Sequence, residues 1–213
     1  MKTILCYGDS NTYGYNPKNG LRYPEHIRWP GALRQLLGKN YRLIEEGCNG
    51  RTTVFDDPLE GWKNGLDYLK PCLNSHKPID VFLMMLGSND LKHCFQASEK
   101  DIANGARQLL QITKDFTLLK QGYLPKIILI APPTLGEEIA LSPFSSAFHQ
   151  EAVKISKKIS TEYEKLAKEM EIYFFDASQI VQPCQEDSLH LTGQSHQALA
   201  GALFDFLYGE GIC

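Results

Sequence analysis

The chain has 213 residues, a formal net charge of −3 and 22% charged residues. That length suits one large α/β domain and is short for two, so one domain over residues 1–213 is expected. The weak net charge gives no strong pull toward nucleic acid or anionic lipid. The longest apolar runs, Val81–Leu86 and Ile127–Ala131, are too short to span a bilayer.

From the N-terminus, Thr3–Tyr7 reads as a strand. Asp9 interrupts it too early for the h-region of a secretory signal. Pro30–Leu37 reads as a short helix with proline in its first turn, and Tyr41–Glu46 as a second strand. Trp62–Leu73 is a second helix and Val81–Leu86 a third strand. Ser98-Glu99-Lys100-Asp101 has the form of a capping box, opening a helix through about Leu119.

The fourth strand is Lys126–Ala131. Ser142-Pro143 is positioned to cap the next helix, which runs toward Met170. There Ala152, Ile155, Ile159, Tyr163, Leu166 and Met170 keep a 3–4 spacing, and the intervening lysines form a solvated face. Ile172–Phe175 is the fifth strand, and a last helix runs from Thr192 to about Tyr208, with Gly209 as its stop. Near-continuous apolar strands alternating with helices predict a doubly wound parallel sheet. The flavodoxin-like order 2-1-3-4-5 suits five strands. That order brings the loops leaving the first three strands together beside Ser10.

Those loops carry Gly8-Asp9-Ser10, Gly47-Cys48-Asn49-Gly50-Arg51-Thr52-Thr53 and Leu86-Gly87-Ser88-Asn89-Asp90. A hydroxyl is thereby flanked by a glycine turn with accessible N–H groups and by an asparagine amide. These are the donors that a tetrahedral oxyanion needs. A base is supplied by Asp187-Ser188-Leu189-His190. On a helical turn, three-residue spacing puts both side chains on one face. Asp187 then orients the ring of His190, whose other nitrogen takes the Ser10 proton. The base follows the fifth strand, roughly 14 Å from the first at normal strand separation, and the stretch Asp176–Leu191 is long enough to return it.

In this order, Gly8-Asp9-Ser10, Gly50, Gly87-Ser88-Asn89-Asp90 and Asp187-Ser188-Leu189-His190 resemble the four sequence blocks of the SGNH or GDSL hydrolases. The stretches RW, EEGCNGRTT, DDP and MLGSND resemble the arylesterase and acyltransferase branch, and the likeness runs from Ile4 to Leu191. It implies a three-layer α/β/α fold and a serine esterase without cofactor or metal. Ser10 would be the nucleophile, His190 the base and Asp187 its orienting acid. The N–H groups of Ser10 and Gly50 and the Asn89 side chain would form the oxyanion hole. Homo-oligomers occur in that branch, so one is expected here.

Other residues read as structural. Asp9 is expected to bond loop N–H groups and Asp90 to tie down its own loop. Arg28 and Arg51 are expected to pair with Glu45, Glu46, Asp56 or Asp57. Cys184, Asp187 and His190 have a metal-like look that no second ligand cluster completes. The six cysteines, lacking any C-x-x-C pair or leader, read as free thiols of a cytoplasmic protein. Tyr13, Tyr15, Trp29, Phe55, Phe95 and Leu191 are the candidate pocket walls, with Trp62, Phe144 and Phe148 also near that edge.

The expected substrate is a small or aryl carboxylic ester, with acyl transfer to an alcohol as an extension, and with no nucleic-acid or membrane partner. Two rivals stand beside it. Polar groups at the mouth (Asp56, Asp57 and Lys92) fit a deacetylase of acetylated carbohydrates. Asp9–Gly14 also resembles the phosphate-cradling first loop of a flavin mononucleotide carrier.

Overall fold

Five parallel strands run through the centre of the computed structural model, which describes all residues Met1–Cys213. They are β1 (Lys2–Gly8), β2 (Tyr41–Gly47), β3 (Val81–Met85), β4 (Lys126–Ala131) and β5 (Tyr173–Asp176). Their order is β2-β1-β3-β4-β5, as the alternating pattern predicts. Every strand end falls within one residue of its position in the sequence reading.

The strands are legible because both faces of the sheet are covered. Leu5, Tyr7, Phe82, Met84 and Leu129 pack under α3 (Gly65–His76), α4 (Glu99–Gln121) and α5 (Glu151–Glu169). Ile4, Cys6, Leu83, Met85, Ile128 and Ile130 pack under α2 (Trp29–Leu37) and α6 (Gly193–Gly209). A sheet buried on both sides has no polar face to alternate with.

Local capping sets the helix boundaries. Ser98 and Asp101 form the capping box of α4, and Gly122 ends that helix in a left-handed conformation. In α6, the Thr192 side chain accepts from Ser195 N–H; Gly209 remains helical and Gly211 takes the positive φ of 63°. α3 begins later than expected, because the Asn64 side chain caps it by accepting from Leu66 N–H at 2.9 Å.

The expected helix start at Ser142-Pro143 is wrong. The Ser142 hydroxyl accepts the Phe144 N–H at 3.1 Å, so it is spent on a local turn. The chain stays irregular to Gln150, and α5 begins at Glu151, where the apolar 3–4 spacing begins.

Absent from the sequence reading are three short 3-10 turns and the single-turn helix α1 (Ser10–Tyr13). It rests on the C-terminal ends of β1 and β2, where Gly8 and Gly47 pair in register. A Cβ on Gly8 would lie 2.1 Å from Thr12 Oγ1, and one on Gly47 would lie 2.1 Å from the backbone nitrogen of Tyr13. Two side-chain-free positions therefore let α1 sit down on the sheet. The obstacle at position 47 is backbone and cannot swing aside, so Gly47→Ala is expected to cost roughly 1–3 kcal/mol. Urea denaturation reads this, and an unchanged midpoint contradicts the close approach.

Candidate active site

Ser10 opens α1, and its neighbour Asp9 caps the turn, with Oδ1 accepting the Asn11 N–H at 3.0 Å. Capping is thus the acid's work, and the hydroxyl is left over for something else. The Asp9 carboxyl thereby occupies the Asn11 N–H, a donor that a phosphate cradle on this turn would need. Ser10 Oγ lies 2.9 Å from His190 Nε2, and His190 Nδ1 lies 2.7 Å from Asp187 Oδ2.

Asp187 and His190 do not share a helical turn as the spacing suggested. They lie in a tight non-helical turn in which Ser188 has φ of 58°. Asp187 Oδ1 accepts the N–H groups of Leu189 at 2.9 Å and His190 at 2.8 Å, while Oδ2 takes the ring. The acid folds the turn about itself. Burial works to raise the Asp187 pKa, but the bond to His190, its charge and the two N–H groups bring it down to about 2. A charged carboxylate accepts only, so Nδ1 carries the proton and Nε2 faces the Ser10 hydroxyl as acceptor. Cys184 donates its thiol to Asp187 Oδ1 at 3.2 Å. Burial and that bond push the thiol up to about 12, so this cysteine is a donor to the acid.

Asn11 spans the gap between the chain's two ends. Its Nδ2 donates to Leu189 O at 3.2 Å, and its Oδ1 accepts the Leu191 N–H at 3.0 Å. It holds the residues on both sides of His190. Asn11 is not among the expected site residues, although an amide directly after the serine, with no cap to make, is a signal in the sequence.

The opposite side of Ser10 is built by the loop after β2. Cys48 N–H donates to Gly8 O at 3.1 Å. Arg51 donates to Gly8 O at 2.9 Å and to Glu46 O, with its guanidinium 4.3 Å above the Tyr7 ring. Arg51 therefore pairs with carbonyls and a ring and has no acid partner, whereas Arg28 does pair with Glu45. Asn89 starts a short 3-10 turn after β3 and gives one Nδ2 hydrogen to Arg51 O at 3.1 Å. Asp90 reaches beyond its own loop and accepts the N–H and hydroxyl of Thr53 across the site. The N–H groups of Ser10 and Gly50 have no acceptor in the protein.

These groups surround a cavity of about 220 Å³. Ser10, Asn49, Gly50, Asn89, Lys92 and His190 provide its polar lining, and Tyr15, Phe144, Ala147, Phe148 and Leu189 its apolar walls. The rings of Tyr15 and Phe144 lie 4.2 and 5.3 Å from the His190 ring. Of the six expected wall residues, Tyr15 alone lines the cavity. Trp29 and Leu191 are buried in the core under α2 and α6. Phe55 and Phe95 stack on each other at 5.3 Å against the opposite core, and Tyr13 carries the Arg22 guanidinium. Core packing, and for Tyr13 the Arg22 contact, turns these side chains elsewhere.

Away from this cavity, Glu46, Cys72 and His76 each bring one potential metal-ligand atom within 4.8 Å of the others. There Glu46 and His76 already satisfy each other at 2.6 Å, and the Arg51 charge bears on the same Cys72 thiol.

The sequence and fold have close counterparts among known proteins. Residues 6–198 match the GDSL-like Lipase/Acylhydrolase family. Est24, a carbohydrate acetylesterase from Sinorhizobium meliloti, is 35% identical over 99% of this chain and 100% of its own, with a TM-score of 0.92. The M. smegmatis aryl esterase is 33% identical over 98% and 99%, with a TM-score of 0.90. A further carbohydrate acetylesterase family member from Sinorhizobium meliloti is 32% identical over 98% of both chains, with a TM-score of 0.91. No curated protein matches.

The chain belongs to the GDSL-like lipase/acylhydrolase family, in its arylesterase and acetylesterase branch. It is a serine-type ester hydrolase that works through an acyl-enzyme. No helix is long and apolar enough to cross a membrane.

Two acids lie buried under the site. Burial raises Asp9 to about 7 and Asp90 to about 6, against the bonds that each accepts. A carboxyl with a raised folded value costs no stability below its unfolded value, near pH 4, and its full cost above the folded one. The Asp9→Asn variant, which carries no such cost, should gain on the parent in urea midpoint as the pH rises from about 4 to about 8. A midpoint difference that does not change with pH would contradict a protonated, buried Asp9.

Proposed function

We propose that the ester is one with a short acyl group, and that Ser10, His190 and Asp187 carry out the reaction beside an oxyanion hole. That hole is formed by Ser10 N–H, Gly50 N–H and Asn89 Nδ2. The supporting observation is the cavity of about 220 Å³ that opens on Ser10 Oγ. Sites for drug-sized ligands run to about 300–1,000 Å³, so this one suits an acetyl-sized group.

In the first half-reaction, Oγ attacks the ester carbonyl carbon while its proton passes to His190 Nε2. The carbonyl oxygen becomes an anion facing the two unpaired N–H groups and the free Asn89 hydrogen. The C–O bond to the leaving group then breaks, and Nε2 returns its proton to the departing alcohol. Water repeats the sequence on the acyl-enzyme and releases the acid and the serine. Asp187 stays charged throughout and balances the imidazolium.

The aromatic faces of Tyr15 and Phe144 support an aryl leaving group, and by limiting water they also support transfer of the acyl group to an alcohol. A second reading, removal of acetyl groups from carbohydrates, draws on Asn49. The residue lines the cavity, and its Oδ1 is buried without a partner, which leaves an acceptor in reserve for a sugar hydroxyl. The likeness to Est24 favours it too. Six free thiols, with Cys94 exposed, support a reducing cytoplasm as the setting.

Ser10→Ala and His190→Ala should each remove nearly all p-nitrophenyl acetate hydrolysis with circular dichroism unchanged. Asn89→Ala should lower kcat about a hundredfold. Full turnover by Ser10→Ala would end the reading. Acetate esters should outrun octanoate esters, and equal rates would contradict the short-acyl cavity. Phenyl acetate and acetylated sugars, compared side by side, separate the two leaving-group readings.

A further inference from the structure

The peptide between Asn49 and Gly50 is a rigid plane whose C=O and N–H point in opposite directions. Its N–H end, on Gly50, has no acceptor in the protein and belongs to the wall of the cavity. Its C=O end, on Asn49, accepts from the ammonium of Lys63. Whatever grips one end fixes where the other is aimed.

Lys63 is built to hold that grip. It is only 7% exposed, unusual for a lysine. Its Nζ also pairs with Glu60 at 2.7 Å and lies 3.7 Å from the centre of the Trp62 ring. Its stem runs beneath Gly50, with Cε 3.1 Å and Cδ 3.3 Å from where a Cβ on that glycine would stand. Its own backbone is tied to the same loop, since Thr52 N–H donates to Lys63 O at 3.0 Å. Lys63 does not line the cavity and touches no reacting atom.

The loop needs such a hold. Gly50 has φ of 78°, and a glycine crosses between positive and negative φ with little cost. Nothing intrinsic to the Asn49–Gly50 plane stops it from turning its N–H out of the cavity. A cation on the carbonyl opposes that rotation with a bond about twice as strong as a neutral one. It also draws electron density toward the oxygen, which makes the N–H a better donor.

We infer that Lys63 is a positioning residue for the oxyanion hole. Its ammonium holds and polarises the Asn49–Gly50 peptide, so that Gly50 N–H meets the charge that develops on the substrate's carbonyl oxygen. This rests on the reading of Ser10 and Gly50 proposed above, and it adds a residue that no sequence block contains.

The test is Lys63→Met, which keeps most of the stem and removes the charge. With p-nitrophenyl acetate, kcat should fall about tenfold, a loss smaller than that of a whole oxyanion donor, while KM moves less than twofold. Phenylboronic acid, whose adduct on Ser10 Oγ puts a tetrahedral anion in the hole, should lose affinity by a similar factor. A merely structural lysine would not move these two quantities together. Lys63→Arg should recover part of both. Lys63→Gln, which keeps a donor without the charge, should lose both by a smaller factor and serves if the methionine variant does not fold. Glu60→Gln breaks the ion pair but spares the bond to Asn49, so its kcat should stay within twofold of the parent.

Unchanged kcat in Lys63→Met, or a kcat loss with boronate affinity intact, overturns the inference. So does a loss in Glu60→Gln as large as that in Lys63→Met. Ser10→Ala separates the two levels: if it retains turnover, the site reading itself fails. If it is inert while Lys63→Met is unimpaired, only the lysine's role fails.

Discussion

Everything at the site depends on the paired bonds between the Asn11 carboxamide and the backbone on either side of His190. The candidate nucleophile belongs to the first strand's exit, and the candidate base to a loop beyond the fifth. No strand pairing or helix packing joins those two segments directly at the reacting atoms. One amide spans the distance, donating to one peptide and accepting from another two residues on. An amide fits because it offers both roles at fixed spacing. With the backbone held at both flanks, the imidazole has little freedom except rotation about its own bonds. Asp187 removes that freedom from one side and the Tyr15 and Phe144 rings from the other.

The other half of the site is organised by the sheet itself. Parallel strands in register deliver three loops to one rim, and glycine at the ends of β1 and β2 lets a helical turn settle there. Arg51 then ties the first two exits together through the Gly8 and Glu46 carbonyls. The order of the strands and the donors beside Ser10 are therefore one constraint seen at two scales. Neighbouring strands must be β2, β1 and β3 for Gly50, Ser10 and Asn89 to line one hollow.

How much of this could be read in the letters follows from what each feature depends on. The strands were legible because burial on both faces leaves unbroken apolar runs such as Val81–Leu86. The Ser98 capping box was legible because capping is a short-range matter. Gly8-Asp9-Ser10 and Asp187-x-x-His190 were visible as patterns, but the turn around Asp187 was mistaken for helix, because its carboxylate replaces helical bonds with its own. Ser142 misled for the same reason, since one hydroxyl serves a turn or a cap equally well. The pocket walls were the least legible. Trp29 and Phe144 both sit in loops or helix starts near the rim, and only packing decides that the first is swallowed by the core. Lys63 was invisible as well, because its partner is a main-chain carbonyl and carries no residue signature.

The separation of 180 positions between the seryl oxygen and the imidazole has a consequence for biosynthesis. Until residue 190 has left the ribosome and docked, Ser10 is an ordinary alcohol on a nascent polypeptide, without the imidazole that lies 2.9 Å from it in the folded chain. A chain that has not yet reached that loop therefore carries the hydroxyl without the His190 and Asp187 side chains that line up behind it in the fold.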